Sequence, residues 1–153
     1  MQCKTVRHFT LVFGVALIIT PAWRQTYAQE HKAINVSSAK GLPFSDGIVA
    51  GNTLYVAGQE GTDDAGKLAA GGISAETKAA LDNIEKVVKA AGYEMKDIVS
   101  VTVYLADIHD FPEMNKVYKS VMPDPKPARA TIQAAALVNN ARIEISAIAV
   151  KQK

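Results

Sequence analysis

Across residues 73–91 the apolar side chains return at steps of three and four: Ile73, Thr77, Leu81, Ile84, Val88 and Ala91. One helical face collects them all, so the spacing predicts an amphipathic helix. Ser74 and Glu76 suit its start, and Gly92 suits the position just past its end. A period of two follows over residues 98–105, where Val99, Val101, Val103 and Leu105 alternate and predict a strand. A second helix is predicted from Asp110, an N-cap residue type, with Pro112 in the first turn. Its buried edge is expected to be Phe111, Met114, Val117 and Val121.

Ahead of the first helix, residues 32–36 predict a short strand, and residues 41–45 are rich in turn formers. Residues 47–50 and 53–57 predict a hairpin around Gly51-Asn52, with glycine where a type II′ turn needs positive φ. Gly58-Gln59-Glu60-Gly61 ends its second strand, and a surface loop runs through Asp63, Asp64 and the Gly71-Gly72 pair. Beyond the second helix, Pro123, Pro125 and Pro127 deliver the chain into a strand that starts at Arg129. In that strand Arg129, Thr131 and Gln133 share one face, and Ala130, Ile132 and Ala134 take the other. After the polar break Asn139-Asn140, the last strand turns Ile143, Ile145, Ala147 and Ala149 one way and Glu144, Ser146, Ile148 and Val150 the other. The order β-β-β-α-β-α-β-β describes an α+β fold with two helices on one face of a mostly apolar sheet. The uncovered face, expected to carry Arg129 or its neighbours, calls for a second copy of the chain.

The N-terminus changes the domain picture. Lys4, Arg7 and His8 precede the apolar run at residues 9–19, Pro21 ends it, and Thr26-Tyr27-Ala28 offers small residues at a cleavage site. This pattern describes a secretory signal peptide over residues 1–28, with residues 29–153 forming one mature domain, periplasmic or secreted; a membrane anchor is the alternative, and an unused segment leaves the protein cytoplasmic. The apolar run is short for a membrane span, and Cys3 lies ahead of it, badly placed for lipid attachment. A mature chain without Cys3 has no cysteine, so disulfides, thiolate nucleophiles and cysteine-bound metals are excluded. The full chain carries a formal charge of +2, part of it in the signal. A near-neutral mature surface argues against a nucleic-acid footprint.

Two charges embedded in strands are the candidate chemistry. Arg129 offers a rigid fork for a carboxylate or phosphate, and the simpler reading is a structural ion pair with Glu144. Glu144 has apolar neighbours that would raise its pKa and let it activate a water, and a salt bridge to Arg142, a lysine or another subunit is the alternative. His31 and His109 have no ligand-like spacing, so no metal site is expected.

Pro127-Ala128-Arg129-Ala130-Thr131-Ile132, followed by Ile143-Glu144-Ile145 and Ala147-Ile148-Ala149-Val150, resembles the RidA family, also called the YjgF or reactive-intermediate deaminase family. The similarity continues through residues 49–59, 76–84, 90–92, 101–105 and 110–118, nearly the whole mature chain. The resemblance implies a chorismate-mutase-like fold and a homotrimer whose sheets form an inner barrel, with clefts between subunits. It implies hydrolysis of reactive enamines and imines, such as 2-aminoacrylate and 2-iminopropanoate, to 2-oxo acids and ammonia, with no cofactor. Arg129 would grip the substrate carboxylate, Gly58 would face its nitrogen, and Glu144 would be associated with the water. Phe44, Thr131 and Asn115 would complete the substrate-binding set. Phe44 stands where well-known members have tyrosine, Thr131 where cysteine or another small residue is common, and Glu60 where an apolar residue is usual. A non-catalytic trimer that binds small carboxylates and an RNA-cleaving translation inhibitor are the alternative functions.

Overall fold

The computed structural model describes residues 30–37 and 41–151, so the predicted signal peptide and its cleavage site lie outside the described residues. Eight main elements follow in the predicted order: β1 (His31–Ile34), β2 (Gly47–Ala50), β3 (Thr53–Glu60), α1 (Gly72–Ala90), β4 (Ile98–Leu105), α2 (Phe111–Val121), β5 (Ala128–Gln133) and β6 (Ile143–Val150). The strands form one six-stranded sheet in the order β1-β2-β3-β6-β4-β5. Neighbours are antiparallel except β4 and β5, which run parallel because α2 carries the chain back between them.

Both helices lie on one side of this sheet. The α1 stripe (Ile73, Thr77, Leu81, Ile84, Val88) is buried against Leu54 and Val56 of β3 and Ile143, Ile145 and Ala147 of β6. Each fully buried Leu or Ile contributes about 1.5–3 kcal/mol over its exposed state, so the alternation of β6 holds its register firmly. Helix α1 closes as predicted: Gly92 adopts φ 80°, and the Tyr93 N–H reaches back to the Val88 carbonyl at 2.9 Å. The hairpin turn also matches, with φ 62° at Gly51.

Several expectations need correction. Strand β3 does not stop at Ala57 but runs to Glu60, because it stays paired with β6 across a register shift between Val56 and Gln59. Val99 is 48% exposed rather than part of the buried row. A second shift, between Ile98 and Ser100, puts Ile98 in the core instead. Neither helix start uses the predicted polar cap. Gly71 precedes α1 without a side-chain cap, and buried Glu76 instead accepts the Arg142 backbone N–H at 2.8 Å. Asp110 also leaves α2 uncapped, since its carboxylate holds the Arg142 guanidinium at both oxygens. The buried edge of α2 is Met114 with Tyr118, while Phe111 is 37% exposed.

Of the two possibilities expected for the open face, Arg129 or its neighbours, the neighbours are there: the far side of the sheet is open, with Tyr55 50% and Ile132 48% exposed, and Arg129 lies on the other side. Register decides the matter: Arg129 pairs with Val101 and Thr131 with Val103, and both valines are buried beneath the helices. Arg129 and Thr131 therefore face α2, and their neighbours Ala130 and Ile132 take the open face.

Candidate active site

Strand β6 sets the first half of the site. Glu144 pairs with Glu60 of β3 on one side and with Tyr104 of β4 on the other, all on the open face. Next to this row, the irregular pairing between Val56 and Gln59 brings Gly58 directly under the Glu144 side chain. A Cβ on Gly58 would overlap the Glu144 carboxylate, so glycine is what lets that carboxylate lie on the β3 backbone. Burial first, then repulsion from the Glu60 carboxylate, holds the Glu144 carboxyl above the ordinary glutamate range. Such a carboxyl suits proton transfer better than a solvated one.

Gly58, Glu60 and Glu144 line a cleft of about 750 Å³, walled also by Leu42, Phe44 and Val138. Phe44 is 55% exposed there, so it offers an apolar wall and no hydrogen bond. The loop before β6 contributes Asn139, in the left-handed region at φ 56°, whose Nδ2 donates to Glu60 Oε2 at 3.0 Å. Asp46, at the base of the cleft, accepts the backbone N–H groups of Val36 and Ser37 at 2.7 and 2.8 Å and pins that rim.

The second half gathers around Arg129. Its Nη2 donates to Asn115 Oδ1 at 2.7 Å, its Nη1 lies 3.9 Å from Met114 Sδ, and its guanidinium carbon sits 4.4 Å from the Tyr118 ring centre. Phe111 adds a second, looser ring at 5.6 Å. Among the described residues no carboxylate pairs with Arg129, so the structural ion pair with Glu144 is not formed. Glu144 has no salt bridge among them either; Arg142, its proposed partner, goes to Asp110. The Thr131 hydroxyl is buried beside Arg129 with no hydrogen-bond partner.

Six predicted residues thus fall into two groups. Gly58, Glu144 and Phe44 share the cleft, whereas Arg129, Asn115 and Thr131 lie on the helix side of the sheet. Strand β4 separates β6 from β5, which sets the two charged residues' strands roughly 10 Å apart as well as on opposite faces. Sequence reasoning missed Tyr118 and Asn139. For Tyr118 a signal existed: it lies four positions after Met114, as Val117 lies three after it, so both positions fit the helical stripe.

The comparisons with known proteins agree with this architecture. The sequence model of the family described as Endoribonuclease L-PSP matches residues 35–151. The chain is 46% identical over 110 residues to a bovine (Bos taurus) 2-iminobutanoate/2-iminopropanoate deaminase, covering 71% of this chain and 80% of that one. It is similar to the crystal structure of RidA from the Antarctic bacterium Psychrobacter sp. PAMC 21119, with a TM-score of 0.74 and 33% identity over 78% of this chain and 99% of that one. Escherichia coli TdcF, solved with bound serine, gives a TM-score of 0.74 and 29% identity over 79% of this chain and 99% of that one. With its mixed sheet, its two helices and a family match from residue 35 to residue 151, the chain belongs to the RidA/YjgF family.

Proposed function

We propose that the protein hydrolyses reactive 2-imino acids and their enamine tautomers to 2-oxo acids and ammonia, in a site shared between copies of the chain. The observation that carries this reading is the presence in one chain of a guanidinium that lacks a carboxylate among the described residues and a carboxyl that lies on a glycine with its pKa raised. The bovine relative bears the deaminase name, and TdcF holds serine, a small amino acid with the same carboxylate handle.

In this reading the Arg129 fork binds the substrate carboxylate with paired, charge-assisted hydrogen bonds. The imine carbon, already electrophilic, lies near the Glu144 carboxylate of a neighbouring copy. The substrate is attacked as its iminium, already protonated on nitrogen: Glu144 takes a proton from water as the oxygen bonds to that carbon, giving a carbinolamine. Glu144 then gives that proton to the nitrogen, and as the carbon–nitrogen bond breaks the hydroxyl proton passes through Glu144 to the departing ammonia, leaving the 2-oxo acid and ammonium. Because Arg129 and Glu144 occupy opposite faces of one sheet, one copy supplies the fork and another the acid–base group. A homotrimer, in this reading, also covers the open face, where Tyr55 and Ile132 are exposed. Export to the periplasm, from the N-terminal sequence, would place this chemistry outside the cytosol.

The experiment adds purified mature protein to a pyridoxal-dependent dehydratase and its amino acid and follows the decay of the imine. Faster decay, lost in Arg129→Ala, supports the proposal. Unchanged decay with saturable 2-oxobutanoate binding selects a carboxylate-binding protein instead. RNA cleavage is suggested by the family's description, and the cleft wall opposes it: Glu60, Asp63, Asp64 and Glu144 stand there against Lys86.

A further inference from the structure

The structure assigns Tyr118 as the positioning residue for the Arg129 fork, a role that rests on the deaminase reading above. An arginine used to grip a carboxylate works best when its plane is fixed before the ligand arrives, since ordering it afterwards weakens binding. Arg129 sits on the last strand of the sheet, where β5 has only β4 as a neighbour among the described residues, so the sheet alone does little to fix the side chain. Helix α2 provides the missing constraint. Tyr118 is 6% exposed, and its ring lies 4.4 Å from the guanidinium carbon, well inside cation–π range. The ring covers one face of the guanidinium, and Asn115 Oδ1 takes one of its five N–H donors. Apart from the long Met114 sulfur contact, the remaining donors have no acceptor among the described residues and stay available to a carboxylate.

The hydroxyl of Tyr118 tells which part of the side chain does this. It is buried and has no hydrogen-bond partner among the described residues. What tyrosine supplies to Arg129 is therefore its ring face, and phenylalanine would supply the same. A merely structural core residue would instead act on the whole fold and on every substrate alike.

The test compares wild type with Tyr118→Phe, Tyr118→Leu and the more volume-conserving Tyr118→Met. Imine turnover is measured together with calorimetric binding of 2-oxobutanoate and of its carboxamide. Tyr118→Phe should stay within about twofold of wild type, whereas Leu and Met should raise KM and the 2-oxobutanoate Kd about tenfold with kcat little changed. Carboxamide binding should not move. The Arg129 Nε–H resonance provides a readout free of catalysis: the ring face should shift it upfield in wild type and Phe but not in Leu or Met. Equal losses for carboxylate and carboxamide, or an unshifted resonance in wild type, would overturn the assignment. A shifted resonance that responds to Tyr118 in a protein that neither binds 2-oxobutanoate nor consumes imine would instead sink the deaminase reading.

Discussion

Arg129 and Glu144 lie on opposite faces of one sheet, separated by strand β4. Arg129 pairs with Val101 under the helices, while Glu144 pairs with Tyr104 on the open face. No rotamer change brings the two side chains onto one small substrate within a single chain, because the packed sheet stands between them. In the proposed reading the chemistry therefore depends on assembly.

Subunit mixing tests that dependence. Arg129→Ala and Glu144→Gln should each be nearly inactive alone. Unfolded together and reassembled, they should recover about a quarter of wild-type activity, the statistical share of interfaces that pair one intact Arg129 with one intact Glu144. Recovery no greater than the sum of the separate variants would show that each chain works alone.

Gly58→Ala should act through Glu144. The new methyl group would occupy the space of the carboxylate, so Glu144 has to swing off the β3 backbone. A fall in kcat of about a hundredfold is expected, the usual worth of a positioned proton-transfer group. The 2-oxobutanoate Kd should change far less, because Arg129 is untouched. Steady-state kinetics alongside calorimetry would separate the two.

The pH profile should respond to Glu60. Its charge helps hold the Glu144 carboxyl high, second to burial. Glu60→Gln removes that repulsion, so the acid limb of kcat/KM should move to lower pH. Stability follows the same group with the sign worked out. A carboxyl whose folded pKa is raised favours the folded state below its unfolded pKa, and that stability is lost as pH rises through the folded pKa. Glu144→Gln should therefore melt higher than wild type at neutral pH while losing activity, and the difference should vanish in acid.

Glu76 offers a purely structural control. It is 5% exposed and accepts the Arg142 backbone N–H at 2.8 Å, tying α1 to the entry of β6. Glu76→Ala leaves that N–H without its acceptor and should cost about 1–3 kcal/mol in urea denaturation. Carboxylate affinity per folded molecule should be unchanged, in contrast with the Tyr118 variants.

Much of this protein was legible in one dimension. The steps of three and four over residues 73–91, the alternation of β6 and the Gly51-Asn52 turn are local, and each is decided by residues within a turn or two of one another. Element order and type followed directly, as did the pairing of Arg129 and Thr131 on one face of β5. Charges embedded in apolar strands singled out Arg129 and Glu144, and the resemblance in residues 127–132 and 143–150 supplied the roles expected of them.

Which face Arg129 occupies was not local information. A strand's alternation names two faces without saying which one the helices cover, and that depends on register with β4, a strand some thirty residues earlier. Helix caps failed for a similar reason: Glu76 and Asp110 look like end-of-helix residues, but distant Arg142 claims both carboxylates. Val117 and Tyr118 both fit the helical phase set by Met114, and only packing against Arg129 gave the tyrosine ring its role. The sequence by itself determined the elements and the reactive residue types. Tertiary structure decided which of them meet, since pairing and packing join residues far apart in the chain.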